Sequence, residues 1–238
     1  MKKGIFNTNK LSLDSNVSSQ YISALMLIAP SLKNGLTINL EGKITSIPYI
    51  NMTLDLLKKV GVSGTFSNNK IEIKHTKTVN SIAVNVESDW SSASYYYSLI
   101  ALSDVGSEVS LSSYTPDSLQ GDAVLRDIYS HLGVQTTFKK DQLVLAKVAA
   151  PSDAIFEKGL AWDLSNAPDI AQTIAVSCFG LGVACDLTGL HTLKIKETDR
   201  LVALKTEIEK LGGQVRISDD SLHLMASKTI KENMKIGT

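Results

Sequence analysis

An α/β (α+β) fold built from three copies of a β-α-β-α-β-β unit is what this sequence predicts, on three observations. The same order of strand-like and helix-like segments recurs about every seventy residues, a longer period than ordinary solenoid repeats have. A glycine closes the second helix of each copy, at Gly61, Gly133 and Gly212, where a helix C-terminus takes a left-handed residue. Each glycine leads into two short strands joined by a polar tip: Ser67-Asn68-Asn69, Lys139-Lys140-Asp141 and Ser218-Asp219-Asp220. Helices flanking mixed sheets make a layered architecture.

The first copy opens with the strand Leu11-Ser12-Leu13-Asp14 and a helix over 18–29. The strand Leu36-Thr37-Ile38-Asn39-Leu40 follows, then a helix over 50–60 and hairpin strands at 64–66 and 70–73. The second copy opens with Ile82-Ala83-Val84-Asn85-Val86, a strand by its alternation of apolar residues. A helix over 91–102, a strand over 108–111, a helix over 122–132 and hairpin strands at 136–138 and 143–145 complete it. The third copy has strands at 160–164 and 184–188, helices over 170–179 and 199–211, and hairpin strands at 215–217 and 222–225. Its second helix is amphipathic, with Leu201, Leu204, Ile208 and Leu211 at helical spacing.

Composition narrows the function classes. The 238 residues suffice for one large domain or two ordinary ones, and 43% hydrophobic with 20% charged residues is ordinary for a soluble globular protein. Lys and Arg number 24, as do Asp and Glu, so no overall field draws the chain to nucleic acid or membrane. Any anion must be held by local groups. The apolar run 22–30 contains Ser23 and is too short to span a bilayer, and the basic start at 1–6 lacks the apolar stretch of a signal peptide. Cys178 and Cys185 flank a Gly-rich turn without zinc spacing, which points to two reduced, buried thiols in a reducing compartment. His75, His131, His191 and His223 have no partner at metal-ligand spacing and read as surface or turn residues. Tyr95-Tyr96-Tyr97 lies inside a helix beside Leu99 and Ile100 and reads as core packing rather than a base-stacking platform. There is no Gly-rich phosphate loop.

The unusual polar residues collect at helix starts. First helices open at Val17-Ser18-Ser19-Gln20, Trp90-Ser91-Ser92-Ala93-Ser94 and Ala167-Pro168-Asp169-Ile170. Second helices follow Thr45-Ser46-Ile47-Pro48-Tyr49, Ser118-Leu119-Gln120-Gly121-Asp122 and Lys196-Glu197-Thr198-Asp199-Arg200. Taken singly, such serines and aspartates are N-caps, and Lys196–Arg200 is a charged, solvated helix start. Repetition changes the weighing. Copies related by rotation aim their helix N-termini at one side, where unpaired N–H groups and positive dipole ends converge. Ser18, Ser19 and Ser46 add hydroxyl donors, and Lys196 and Arg200 add full charges, which describes a phosphate or carboxylate site. Asp169 and Glu197 would be poor anion binders there and fit proton transfer instead. The constellation reads as an enzyme for anionic small molecules.

These segments, in this order along almost the whole chain, resemble the enolpyruvyl transferase family, in the branch that acts on shikimate 3-phosphate. The matching stretches are Ser18-Ser19-Gln20, Ser46-Ile47-Pro48-Tyr49, Asp89-Trp90-Ser91-Ser92-Ala93-Ser94, Ser118-Leu119-Gln120-Gly121-Asp122, Pro168-Asp169 and Lys196-Glu197-Thr198-Asp199-Arg200. The resemblance implies inside-out α/β barrel domains. It implies transfer of the enolpyruvyl group of phosphoenolpyruvate to the 5-hydroxyl of shikimate 3-phosphate, with release of phosphate and with no metal or organic cofactor. By position, Ser18, Ser19 and Ser46 would hold the shikimate phosphate, Tyr49 would line its ring and Lys196 would contact it. Gln20 would sit between the two substrates and Arg200 would bind phosphoenolpyruvate. Asp169 would accept the hydroxyl proton, and Glu197 would shuttle the proton at the methylene carbon. Asp89 has a family counterpart but no assigned role.

Family members also carry substrate-binding cations before the first of these segments and an Asp-His-Arg stretch and a lysine after the last. The expectation is therefore a central, C-terminally truncated part of such an enzyme, inactive alone: residues 1–86 as the last repeat of one domain and 87–238 as two repeats of the other. The family implies a monomeric cytoplasmic enzyme with no nucleic-acid or membrane partner, bacterial by default, with a plastid version as the alternative. Two other readings stand beside it: the UDP-N-acetylglucosamine branch of the same family, which Lys196–Arg200 disfavours, and a non-catalytic repeat module.

Overall fold

The computed structural model describes residues 8–15, 17–140 and 142–237, so the basic start at 1–6 and Asp141 of the second hairpin tip lie outside it. The chain divides into two compact units, Met1–Asn85 and Val86–Thr238.

The first unit runs β1 (Lys10–Asp14), α1 (Ser19–Ile28), β2 (Leu36–Glu41), α2 (Ile47–Lys59), β3 (Gly64–Ser67) and β4 (Lys70–Ile73). Its sheet has the order β1-β2-β4-β3, with β1 parallel to β2 and the other neighbours antiparallel. Alternation in β2 buries Leu36, Ile38 and Leu40, while α1 supplies Ile22 and Met26 and α2 supplies Ile50, Leu54 and Leu57 to the same core. The helices are also joined by a hydroxyl pair, Ser23 Oγ to Thr53 Oγ1 at 2.8 Å. The α2 helix stops at Val60, and Gly61 follows at φ +89°.

The second unit begins with α3 (Trp90–Ala101), β5 (Glu108–Ser112), α4 (Leu125–Ser130), β6 (Val134–Lys139) and β7 (Gln142–Lys147). It continues with α5 (Asp153–Lys158), β8 (Leu160–Asp163), α6 (Ala171–Leu181), β9 (Cys185–Thr188), α7 (Arg200–Lys210), β10 (Val215–Ile217) and β11 (Leu222–Leu224). Two sheets form, β5-β7-β6 and β10-β11-β9-β8, and among their pairs only β8 with β9 is parallel. One core joins Trp90 and Tyr97 of α3, Ile128 and Tyr129 of α4, Ile174 and Cys178 of α6, and Leu201 and Ile208 of α7. Gly133 at φ +80° is required twice over: a Cβ there would lie 1.9 Å from the Ala149 carbonyl oxygen. Cys178 and Cys185 are free and buried. Among the described residues no helix is long and apolar enough to cross a membrane.

The three glycine stops and three hairpins fall where the sequence places them. Three elements and one packing expectation differ. Residues 82–86 form no strand, because Ile82, Val84 and Val86 are all exposed and no buried face holds a register. Pairing beside β5 starts only at Ser88, whose N–H reaches the Ser113 carbonyl at 2.8 Å. The second helix of the middle copy is shorter than 122–132, a 3-10 turn at Gly121–Val124 leading into α4. The α5 helix, absent from the repeat pattern, has no buried residue to show in a periodicity. Of the three tyrosines only Tyr97 is core; Tyr95 and Tyr96 are exposed, since consecutive helical positions turn to different faces.

Candidate active site

Sheet topology decides where the polar helix starts go. Because β8 and β9 are parallel neighbours, the chain leaves both at the same edge of the sheet. The element after β8 and the element after β9 therefore both begin there, the place where open α/β sheets take ligands. After β8 comes a 3-10 turn, Pro168–Ile170, which leads into α6. Its proline sits in the first turn, where a missing N–H costs nothing, and Asp169 comes next. After β9 a 3-10 turn, His191–Ile195, runs into Lys196 and Glu197. Asp199 caps α7, its Oδ1 accepting from the N–H groups of Leu201 and Val202, both at 3.1 Å.

The four residues singled out in the third copy meet. Asp169 Oδ1 lies 3.1 Å from Arg200 and 3.3 Å from Lys196 Nζ, and the other guanidinium nitrogen of Arg200 donates to Glu197 Oε2 at 2.7 Å. Two cations and two carboxylates thus form one cluster with no net charge. Lys196 and Arg200 are mostly buried, whereas the Glu197 side chain is 78% exposed. The hydrogen bond from Arg200, with its positive charge, holds the Glu197 carboxyl below the usual glutamate range. The Arg200–Glu197 bond is the solvated i,i+3 pair that a bland reading of Lys196–Arg200 expects. The two cations on Asp169, 27 and 31 positions upstream in sequence, are not.

A cavity of about 440 Å³ opens beside this cluster, walled by Asp169 and Arg200 together with Ser91, Gln172, Thr173 and Glu207. Gln172 Oε1 is buried there without a hydrogen-bond partner, as is Thr192 Oγ1 in the 3-10 turn before Lys196. Sequence reasoning passed over Gln172 and Glu207. The available signal was spacing: Gln172 follows Asp169 by three and Glu207 follows Arg200 by seven, so each shares a helix face with its partner.

The first unit repeats the topology. With β1 parallel to β2, α1 and α2 both open at one sheet edge. Ser18 caps α1, accepting from the Gln20 N–H at a long 3.4 Å, and Ser19 and Gln20 are the first helical residues. Ser46 stands at the N-cap of α2 but its hydroxyl makes no capping bond, and its backbone is left-handed at φ +55°. A non-glycine residue in that region is strained and must be held by its surroundings. Tyr49 is in the first turn of α2, its N–H meeting the Ser46 carbonyl at 3.0 Å.

In the middle copy the corresponding residues are tied to one another. Ser91 donates to Asp122 at 2.5 Å, and Asp89 caps α3 by accepting from the Ser91 N–H at 2.9 Å. Glu87 gathers Trp90 Nε1, Ser118, Thr115 and Gln120, and Gln120 Oε1 accepts the Trp90 N–H. Here the structural role that N-cap chemistry predicts is the observed one.

Comparison with known proteins adds a family. The family model described as EPSP synthase (3-phosphoshikimate 1-carboxyvinyltransferase) matches residues 2–236. A 3-phosphoshikimate 1-carboxyvinyltransferase of Bacteroides fragilis (strain YCH46) is 41% identical over 214 residues, covering 90% of this chain and 51% of its own length. One of Methanospirillum hungatei JF-1 is 31% identical over 221 residues, covering 91% and 50%. The chain thus spans about half the length of the curated relatives it matches. The solved EPSP synthase of Acinetobacter baumannii superposes with a TM-score of 0.64 over 95% of this chain and 50% of that one; at 16% identity the likeness is one of fold, the inside-out α/β fold.

Proposed function

The chain belongs to the EPSP synthase family, and on that premise we propose that the whole protein transfers the enolpyruvyl group of phosphoenolpyruvate to the 5-hydroxyl of shikimate 3-phosphate. The observation that carries the proposal is the cluster of Asp169, Lys196, Glu197 and Arg200 beside a cavity at the opening of α7. An addition–elimination between two anions needs cations for their charges, a base at the attacking alcohol and an acid at the methylene carbon. The cluster holds one set of each.

In this reading Asp169 takes the proton of the 5-hydroxyl as its oxygen bonds to C2 of phosphoenolpyruvate. Glu197 delivers a proton to the methylene carbon, giving a tetrahedral adduct that still carries the phosphate. Glu197 then takes a proton back from the new methyl group, the C–O bond to phosphate breaks, and inorganic phosphate leaves as the double bond is restored. Lys196 binds shikimate 3-phosphate and Arg200 binds phosphoenolpyruvate. In the first unit Ser18, Ser19 and Ser46 bind the shikimate phosphate, Tyr49 lines the ring and Gln20 serves both substrates. Without substrate the carboxylates are the counterions of Lys196 and Arg200, and each substrate anion takes a carboxylate's place. The steps run on side-chain acids and bases.

Residues 1–86 as the last repeat of one domain and 87–238 as two repeats of the next fit the compact units at Met1–Asn85 and Val86–Thr238. We place the enzyme in the cytoplasm as a monomer, without a nucleic-acid or membrane partner. Calorimetric titration of this chain with shikimate 3-phosphate, with UDP-N-acetylglucosamine as control, tests the assignment. Selective binding of the first, weakened in Lys196→Ala, is expected; selective binding of the sugar nucleotide would move the protein to the other branch of the enolpyruvyl transferases.

A further inference from the structure

The sheet β10-β11-β9-β8 carries a second depression that shares no residue with the cluster at α7. It opens to solvent over about 530 Å³ and is lined by Ala184, Asp186, Arg216, His223, Met225 and Ala226 among others, with Arg216, Asp186 and Met225 exposed. That volume is in the range of small-molecule sites, roughly 300–1,000 Å³.

Strand register puts three polar side chains in one row. Arg216 on β10 is opposite His223 on β11, and His223 is opposite Asp186 on β9. Directly opposed residues share a face of the sheet. The His223 ring is committed at both nitrogens, Nδ1 to Asp186 Oδ1 at 2.7 Å and Nε2 to Ser221 Oγ at 3.0 Å. Among the described residues Arg216 has no ion-pair partner, and His223 engages only one oxygen of Asp186. The row therefore presents a free guanidinium at one end and a half-used carboxylate at the other, with apolar wall from Ala184, Met225 and Ala226.

A lone exposed arginine is a solvated surface cation. A cation and an anion across one apolar-walled depression are a more specific arrangement. A simple carboxylate would gain Arg216 but meet Asp186 as a like charge, and a simple amine would have the opposite fault. A ligand carrying both charges satisfies both ends. Strands lie about 4.8 Å apart, so the backbones of Arg216 and Asp186 are about 10 Å apart, a gap that the long arginine side chain can narrow to the span between an ammonium and its own carboxylate.

We propose that this depression binds a free α-amino acid with an apolar side chain. The Arg216 guanidinium donates paired N–H bonds to the α-carboxylate. Asp186 Oδ2 accepts from the α-ammonium, and the side chain lies against Ala184, Met225 and Ala226. His223, fixed by Asp186 and Ser221, spaces the two charges.

Amide-correlation NMR of the chain, titrated with L-leucine, tests this. Two control ligands keep the leucine skeleton and lack one charge each: 4-methylpentanoate and 3-methylbutylamine. L-leucine is expected to shift the amides of residues 184–186, 216 and 223–226 saturably, with a dissociation constant of about 1 mM. Each control should bind about tenfold more weakly, and so should leucine to Arg216→Ala and Asp186→Asn, whose own spectra report that they are folded. No saturable shift with leucine overturns the proposal. Equal binding of 4-methylpentanoate, or leucine binding unchanged in Arg216→Ala, overturns it as well.

Discussion

Glu87 accepts the indole N–H of Trp90 at 2.9 Å, and through that one carboxylate the start of α3 is tied to the loop before α4. Desolvation pushes the Glu87 carboxyl upward, but the hydrogen bonds from Trp90, Ser118 and Thr115 outweigh it and hold it below the usual range. A carboxyl depressed in the folded state adds stability above its unfolded pKa and loses it as pH falls through the folded value. Glu87→Gln should therefore lower the melting temperature near neutral pH by about 2–4 °C, equivalent to ~1 kcal/mol. The gap to wild type should close in acid. Both tryptophans, Trp90 and Trp162, lie in this unit, so their fluorescence follows the transition. A gap that widens in acid would contradict the assignment.

Ser46 separates stability from binding. Its left-handed backbone costs a side-chain-bearing residue about 1–2 kcal/mol, and its hydroxyl caps nothing. Ser46→Gly relieves that strain, while the freer unfolded chain takes back about 0.5–1 kcal/mol. Urea unfolding should show the variant as stable as wild type or more so. Its affinity for shikimate 3-phosphate should fall about tenfold, the loss of one hydrogen bond to a charged group. Loss of stability with binding intact would remove Ser46 from the proposed phosphate site.

The cations and acids of the third copy should fail in different ways. Lys196→Ala should weaken shikimate 3-phosphate binding by about tenfold to a hundredfold, as expected for a charged hydrogen bond. Glu197→Gln should leave that binding unchanged, because its side chain is the most exposed of the four. In the whole protein the same substitution should cut kcat by roughly a hundredfold to ten-thousandfold with little change in KM, the signature of a lost proton-transfer group. Calorimetry on the chain and turnover assays on the whole protein separate the two effects.

Two glycines give a purely steric test. Gly133 and Gly106 both have positive φ, +80° and +98°. An added Cβ meets the Ala149 carbonyl at 1.9 Å in the first case and nothing within 4 Å in the second. Gly106→Ala should cost about 1–2 kcal/mol from backbone conformation alone. Gly133→Ala should cost that plus the displacement of a backbone carbonyl, enough to unfold the unit or lower its urea midpoint well beyond that of Gly106→Ala. Equal midpoints would count against the close approach.

Much of this was legible in the chain because the signals are local. Glycine stops, hairpin tips and N-caps need only a few residues, so Gly61, Gly133, Gly212 and the starts of α1, α3 and α7 could be placed from sequence. The juxtaposition of Asp169 with Lys196 and Arg200 followed from repetition, since matching helix starts end at matching sheet edges. What stayed hidden depends on partners distant in sequence. The alternation of Ile82, Val84 and Val86 promised a strand, but pairing needs a neighbour, and among the described residues no strand pairs with this segment. His223 looked solitary because Asp186, its partner, is 37 residues away. Gln172 and Glu207 look like ordinary helix residues until the cavity beside them is known.

The neutrality of the cluster at α7 has a consequence for competition among solutes. Lys196, Arg200, Asp169 and Glu197 sum to zero charge, so an approaching anion feels little long-range pull. It gains the cations only by exchanging with carboxylates already seated on them. On the proposed function, a small free ion such as inorganic phosphate would bring fewer contacts to that exchange than a substrate that reaches further groups. If Lys196 and Arg200 bind the substrates as proposed, the internal ion pairs would act as a threshold against the abundant simple anions of a cell, in the way a repulsive element sharpens specificity.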